Sequence, residues 1–215
     1  MGLPSRIYHT TRRKTGPYHD SSLADNVLIK ECTGDMLLHL DDDGFVNHRL
    51  IEFLQQLESF QALNEGVVYY GNNVFVDMED LRIIGRDPRH EQLKCDVTQA
   101  VSLPITHCAG AMYLAPVNIL RKIGGHDMQY IGWRGCDSRL GVRLHKEAQC
   151  WFMGLPQMSF YHFGKSKYRE MIDSGLPHTF DEWKSPGYGL DSWEHIANGG
   201  EEFWKNGLKG WYEEA

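Results

Sequence analysis

Residues 35–43 read Asp-Met-Leu-Leu-His-Leu-Asp-Asp-Asp, an apolar run that ends abruptly on three carboxylates. The run predicts a buried strand, and Gly44 after it predicts a turn. Because side chains alternate along a strand, Asp41 and Asp43 would project from its end on one side while Asp42 points to the other. Two carboxylates placed in this way can bind a divalent cation, although a solvated acidic turn has the same pattern.

The composition is that of a globular chain with one core. The chain has 215 residues, 41% of them hydrophobic and 24% charged, and its six Trp and ten Tyr suit a carbohydrate site as well as a core. A net charge of -7 argues against a nucleic-acid partner, which requires a basic surface. The five cysteines form no Cys-x-x-Cys pair, which favours reduced thiols and a cytoplasmic protein. No run reaches transmembrane length.

The order of the predicted elements is that of an α/β fold. A short strand over 5–10, a helix over 20–33 and a strand over 36–40 make a strand-helix-strand unit. This unit is typical of parallel sheets, which bind ligands at the carboxyl ends of their strands.

The remaining pattern extends this fold and then changes character. It predicts a helix over 48–63, a hairpin over 67–77 that turns at 71–73, strands over 81–84 and 105–115, a short helix from 116 to 123, a helix over 137–148, and strands over 150–153 and 158–162. Beyond residue 163 the chain becomes polar with scattered Trp, and we expect helices near 192–197 and 201–208. The prediction is an α/β domain over 1–165 and a loop-rich, helical C-terminal extension over 166–215.

A second segment with chemical potential is rich in glycine. Residues 124–137 read Gly-Gly-His-Asp-Met-Gln-Tyr-Ile-Gly-Trp-Arg-Gly-Cys-Asp. Asp137 stands at a predicted helix start, where the backbone N–H groups and the helix dipole favour the ionised carboxylate. Beside Trp133, such a carboxylate can act as the general base for an acceptor hydroxyl. A simple N-cap role accounts for Asp137 equally well.

A third segment, residues 160–167, reads Phe-Tyr-His-Phe-Gly-Lys-Ser-Lys. His162 closes a predicted strand and can bind a metal through its imidazole, and Lys165 and Lys167 can offset phosphate charge. A histidine among aromatic residues is also common as a structural residue. Two carboxylates, one imidazole and nearby cations suit Mn²⁺ or Mg²⁺ bridging a diphosphate better than a structural zinc.

Together these segments resemble the family-2-type glycosyltransferases of the GT-A fold. Residues 23–43 resemble the segment that leads into the Asp-x-Asp motif of that family. Residues 124–144 resemble its signature Gly-Gly-Phe-Asp, Gly-Trp-Gly-Gly-Glu-Asp and Arg-Leu, which the galactosyltransferase C-terminal module shares. The resemblance spans roughly residues 20–165, and three motifs in order are more specific than any one of them. It implies a GT-A-like (Rossmann-like) mixed sheet flanked by helices.

The resemblance also implies an activity, which is metal-dependent transfer with inversion from a nucleotide-sugar donor to a glycan or other hydroxyl acceptor. A UDP-sugar is the favoured donor class, and Mn²⁺ or Mg²⁺ the implied cofactor. Carried over by position, Asp43 is a metal ligand, Asp41 contacts the ribose or the metal, and His162 is a second metal ligand. Asp137 is the base.

The same resemblance implies which residues line the substrate pocket. Trp133, Gly132 and Arg134 would line the sugar and acceptor side, and Lys165 would lie near the phosphates. Arg134 stands where the signature has Gly, and Cys136 stands where it has Glu, so contacts to the acceptor are altered.

A further departure concerns the N-terminal part of the sheet. The family begins with a strand, a helix and a second strand that hold the nucleotide base, whereas only about 20 residues precede the resemblance here. We therefore expect an N-terminally shortened sheet: either the chain is a minimal version or a fragment of the fold, or another chain supplies the base-binding half. A shortened sheet would expose an edge strand, which a homo- or hetero-oligomer would complete. Two other functions stay open: a non-catalytic glycosyltransferase-like remnant or subunit, and a metal-dependent phosphohydrolase built on the acidic cluster.

Overall fold

The computed structural model describes residues 6–10, 21–42, 44–60, 63–76, 83–86, 111–126, 136–155, 157–163, 203–210 and 212–214. The elements of these ranges, in chain order, are β1 (Tyr8–Thr10), α1 (Ser21–Glu31), β2 (Met36–Leu40), β3 (Gly44–Val46), α2 (Leu50–Ser59), β4 (Val67–Tyr70), β5 (Asn73–Val76), β6 (Ile83–Arg86), β7 (Met112–Pro116), α3 (Val117–Lys122), α4 (Cys136–Ala148), β8 (Trp151–Gly154), β9 (Phe160–Phe163), a π-helix (Phe203–Gly207) and β10 (Tyr212–Glu214).

The central sheet has the strand order β2-β7-β4-β8. Strand β7 is antiparallel to both β2 and β4, and β4 is parallel to β8. It follows that β2, β4 and β8 run in one direction and end at the same edge of the sheet. The sheet is therefore mixed, as expected. The predicted strand, helix and strand at the N-terminus are present, but the prediction that both strands belong to one parallel sheet is wrong, because β1 pairs with β10 in a separate two-stranded sheet.

A second sheet has the order β3-β9-β5-β6. The predicted hairpin of β4 and β5 is wrong, because the two strands belong to different sheets. The chain crosses from the central sheet to the second sheet twice, once from β4 to β5 and once from β8 to β9. The two crossings run side by side, because β4 is parallel to β8 and β5 is parallel to β9. At the crossing, the Leu155 N–H donates to the Tyr70 carbonyl at 2.8 Å and the Phe160 N–H to the Asn72 carbonyl at 2.8 Å. Gly71 is required there, since a Cβ would collide with the Met158 carbonyl.

The inner strands β4 and β7 of the central sheet are buried on both faces, whereas the outer strand β2, predicted to be buried, is half-buried. On β4, the side chains of Val68 and Tyr70 enter one core and that of Tyr69 enters the other. The first core is closed by the three helices α1, α3 and α4, and the second by α2 and the start of the second sheet. Burial on both faces explains why β4 and β7 read as almost continuous apolar runs.

Two long side chains tie the helical layer together. Arg121 on α3 donates to the carbonyls of Ile29, Lys30 and Cys32, which are orphan acceptors at the end of α1. Trp204 of the π-helix donates from its indole Nε1 to the Arg121 carbonyl at 3.0 Å. The described part of the C-terminal extension is thus packed on the α/β domain, while the predicted boundary at residue 165 stays a prediction. Within the described ranges, no helix is both long and apolar enough to cross a membrane.

Candidate functional site

Strand β2 leads directly into the acidic turn. The backbone N–H of Asp41 donates to the Ala111 carbonyl at 3.0 Å, so the pairing with the β7 side continues one residue beyond Leu40. Asp41 and Asp42 are exposed. Asp43, the predicted metal ligand, lies outside the described residues.

The segment after the acidic turn pairs with the strand that carries His162. Gly44 was expected to form a turn, but it begins β3 and lies opposite His162 in the antiparallel register. A Cβ on Gly44 would collide with the Tyr161 carbonyl and lie 2.6 Å from a ring carbon of Phe160. Glycine is therefore needed for close approach of the two strands, and this approach joins the first candidate segment to the third.

His162 is half-buried on β9. Its ring meets that of Phe160 edge-on, with 4.7 Å between centroids. Paired residues of an antiparallel ladder have Cα atoms about 4.5–5.5 Å apart, so the backbone of His162 lies beside the residue that follows Asp43. Of the predicted metal ligands, Asp41 and His162 are described, and no group of three or more His, Cys, Asp or Glu residues suited to a metal occurs in the described ranges.

The glycines of the second segment end α3. The Gly125 N–H donates to the Leu120 carbonyl at 2.8 Å and the Gly124 N–H to the Arg121 carbonyl at 3.0 Å, which is a Schellman motif. Both glycines have positive φ, 79° and 66°. A Cβ on Gly125 would also collide with the Asn26 side chain, so the second glycine serves the contact between α3 and α1.

Arg143, from the predicted Arg143-Leu144 motif, is a buried structural residue. Only 4% of this residue is exposed, and its guanidinium donates to the carbonyls of Ile123 and Gly125. It also pairs with Glu147 one turn along α4, at 3.3 Å. Arg143 thus holds α4 against the end of α3 and against the turn from which residues 127–135 depart.

The predicted base lies at the first turn of α4. Asp137 is the second residue of the helix Cys136–Ala148, and its side chain lies outside what the structure describes. Helix α4 leads into β8 through a short connection. Gly132, Trp133, Arg134 and Lys165 lie outside the described residues, and their roles stay predictions.

A buried polar cluster beneath this edge escaped the sequence reasoning. The Oδ1 atom of Asp25 on α1 lies 3.0 Å from Nε2 of His39 on β2, and its Oδ2 atom lies 3.5 Å from Nε2 of His126. The His39 ring stacks on its cross-strand partner Tyr113 at 4.8 Å, and the Tyr113 hydroxyl lies 3.4 Å from the His126 ring. One signal was available, since His126 stands where the signature has Phe.

The electrostatics of this cluster favour an ionised carboxylate. Burial alone would raise the pKa of Asp25, but the charge of His126 and the hydrogen bond with His39 lower it below its ordinary value of 3.8. Asn26, the next residue, accepts from the His126 N–H and donates to the His126 carbonyl, both at 2.8 Å. Helix α1 therefore contacts His126, in the turn after α3, at both its imidazole and its backbone.

Next to the acidic turn lies a small aromatic surface. Phe45 is stacked on its cross-strand partner Tyr161, with 5.1 Å between centroids and 11° between the ring planes, and Phe163 lies beside it at 5.4 Å. Phe45 is 39% exposed. Flat aromatic rings of this kind can pack against the apolar face of a sugar.

Comparison with known proteins bears on the fold. No family model matches the chain, and no curated protein matches it in sequence. Among solved structures, the crystal structure of GalNAc-T7 with UDP, GalNAc and Mn²⁺, a GT-A glycosyltransferase, is similar, with a TM-score of 0.50 and 11% identity. The chain has a GT-A-like fold. The match covers 66% of this chain and 30% of that chain, and at this identity it shows the fold alone.

Proposed function

We propose that this protein is a metal-dependent, inverting glycosyltransferase that moves a sugar from a nucleotide-sugar, with a UDP-sugar as the donor class, to a hydroxyl acceptor. The observation that supports it best is the register that sets His162 opposite Gly44, immediately after the carboxylates that end β2. The GT-A-like arrangement of the sheet provides the second support.

The proposed metal site consists of Asp41, Asp43 and His162. Carboxylate oxygens with one imidazole nitrogen are a donor set that suits Mn²⁺ or Mg²⁺. When bound there, the cation supplies charge neutralisation for the departing diphosphate. In this proposal Lys165 adds a positive charge on the phosphate side.

Asp137 is the proposed base. It accepts the proton of the acceptor hydroxyl as that oxygen bonds to the anomeric carbon, and the bond from this carbon to the diphosphate oxygen breaks with inversion. A position in the first turn of a helix suits this role, because the backbone N–H groups and the helix dipole favour an ionised carboxylate there. Gly132, Trp133 and Arg134 form the sugar and acceptor side of the pocket.

The direct test is calorimetric titration of the full chain with UDP, in Mn²⁺ and in EDTA. We expect saturable binding in Mn²⁺ that EDTA abolishes. His162→Ala should weaken this binding at least about tenfold, since loss of a residue that only hydrogen-bonds to a metal ligand already has an effect of that size. His145→Ala is the matched control, because this exposed imidazole lies on α4 away from the proposed site. Metal-independent binding, or equal effects of the two variants, would contradict the metal site.

A non-catalytic, glycosyltransferase-like subunit is the second candidate. It is favoured by Cys136, which stands in place of the Glu of the signature. Mn²⁺-dependent UDP binding without turnover of any UDP-sugar would select this candidate. Turnover that is lost in Asp137→Asn would select the enzyme.

Two further points belong to the proposal. Among the described strands, β2 is an outer strand of the central sheet, and we propose that a second chain, identical or different, pairs with it. Light scattering across a range of concentrations should then show an assembly larger than 24.7 kDa.

We also propose a cytoplasmic location, supported by the free thiols of Cys32 and Cys150, which cell fractionation would test.

A further inference from the structure

The carboxylate of Asp25 is buried between imidazoles from two different parts of the chain. Its two oxygens lie 3.0 Å from His39 and 3.5 Å from His126. The side chain of Asp25 is 11% exposed and that of His126 is 1% exposed. A buried carboxylate is costly to place unless its charge is met by nearby partners. The cluster therefore favours the arrangement in which α1, β2 and the turn after α3 lie together, because separation would leave the Asp25 charge buried with fewer partners.

The three segments have distinct places in the proposed site. His39 lies on β2 two residues before Asp41, at the end of the strand that leads into the acidic turn. His126 directly precedes residues 127–135, which connect to Asp137 on α4. Asp25 lies on α1 and contacts both.

We propose that Asp25 is a positioning residue, which joins the metal-binding side of the site to the acceptor side by holding His39 and His126 at fixed separation. This inference rests on the proposed function. It assigns Asp25 no contact with the substrate, and its effect passes through β2 and through the turn after α3.

The surrounding contacts make such coupling stiff. The His39 ring is stacked on Tyr113, whose hydroxyl approaches His126, so the two imidazoles are linked on the β7 side as well. Asn26 fixes the backbone of His126 from the same turn of α1. Arg143 fixes Gly125 from the α4 side. The two imidazoles are thus linked by Tyr113 and by Asp25, and Asp25 is the group that places a negative charge beside both.

The choice of residues favours this role over simple packing. The signature has Phe where this chain has His126. A phenyl ring would fill the same space but would offer Asp25 no hydrogen-bond donor and no charge. An ionised carboxylate fixes the positions of its donors more strictly than apolar contact does, because hydrogen bonds are directional.

The test compares Asp25→Asn with the matched control Asp35→Asn in the full chain. Both variants remove one carboxylate charge at nearly constant shape, but Asp35 is exposed. Hydrogen exchange of residues 36–42 and 120–126 should become faster by about tenfold in Asp25→Asn and should not change in Asp35→Asn. Exchange in α2 and β5, which do not touch the cluster, should stay at the wild-type rate.

A kinetic comparison then separates positioning from folding. With a donor that turns over, Asp25→Asn should lower kcat by about tenfold or more, as a small misplacement of reacting groups does, with the KM for the donor changed less than about threefold. A merely structural role would lower the melting temperature and leave kcat per folded molecule unchanged.

The outcomes are distinct for the two proposals. The positioning role would be overturned if exchange became faster in only one of the two segments, in neither of them, or uniformly across the chain. A wild-type chain that binds no UDP would overturn the proposed function, and the exchange experiment, which needs no ligand, would still decide whether Asp25 couples the segments. If Asp25→Asn does not fold, His126→Phe replaces it and should accelerate exchange in 36–42 as well as in 120–126.

Discussion

Replacing Gly44 by Ala tests the contact that brings His162 to the acidic turn. The added Cβ would meet the Tyr161 carbonyl and two ring carbons of Phe160, at 2.6 and 2.7 Å. The carbonyl belongs to the backbone of β9, and the Phe160 ring is 2% exposed in the core with Leu50 and Met158. Neither obstacle can move aside without cost, so β3 and β9 must separate.

The expected loss is about 2–3 kcal/mol in the free energy of unfolding, which is typical of overpacking at a site that cannot relax. For a chain of this size that corresponds to roughly 4–12 °C in Tm. Gly34→Ala is the matched control, because the nearest atom to its Cβ, the Met36 carbonyl oxygen, lies at 3.6 Å, an ordinary contact. It should change the free energy by less than about 1 kcal/mol.

The assay is urea unfolding of both variants, followed by UDP titration in Mn²⁺ at low urea. Gly44→Ala should lose stability and also bind UDP in Mn²⁺ more weakly than Gly34→Ala, since separation of the strands moves His162 away from the acidic turn. Equal stability of the two variants would refute the close approach of β3 and β9. Equal affinity, with the expected loss of stability, would refute the link between this pairing and the metal site.

Three further predictions concern the helical layer. Arg143→Lys should cost about 2 kcal/mol in urea unfolding, because an ammonium cannot satisfy both carbonyls that the guanidinium fork reaches; no change relative to the exposed control Lys146→Ala would contradict this. Trp204→Phe should cost about 1 kcal/mol through loss of the indole hydrogen bond to Arg121, and an unchanged unfolding midpoint would argue against it. Because the pKa of Asp25 is lowered in the folded chain, its contribution is present above pH 3.8 and lost as the pH falls further. Wild type should therefore lose more stability than Asp25→Asn on acidification below pH 3.8, and parallel curves would show that another group dominates.

Local sequence patterns were sufficient for most of the elements. The run that became β2, the Pro and Gly-Gly limits of α3 and the helix α4 all follow from short-range rules, and the structure has them at or near the predicted residues. The long-range pairings could not be read in this way. The β4–β5 segment looked like a hairpin because its turn residues are typical, and only the approach of Met158 to Gly71 shows why it crosses between sheets instead.

The candidate site was predictable to a similar degree. Spacing pointed to the acidic turn and to His162, but it could not reveal that Gly44 is a point of strand contact rather than a turn. The Asp25 cluster was missed because its members are far apart in sequence and each looks ordinary alone. His39 alternates with apolar neighbours on a strand, and a register with Tyr113 is needed before its role in the core can be seen.

The central claim is that the acidic turn and His162 form one metal site for a sugar nucleotide. It is tested most directly by a crystal structure of the full chain with UDP and Mn²⁺, in which the anomalous signal of manganese locates the ion. We predict one peak within bonding distance of a carboxylate of the acidic turn, the His162 imidazole and the UDP diphosphate. A peak elsewhere, or UDP bound away from the end of β2, would contradict the account.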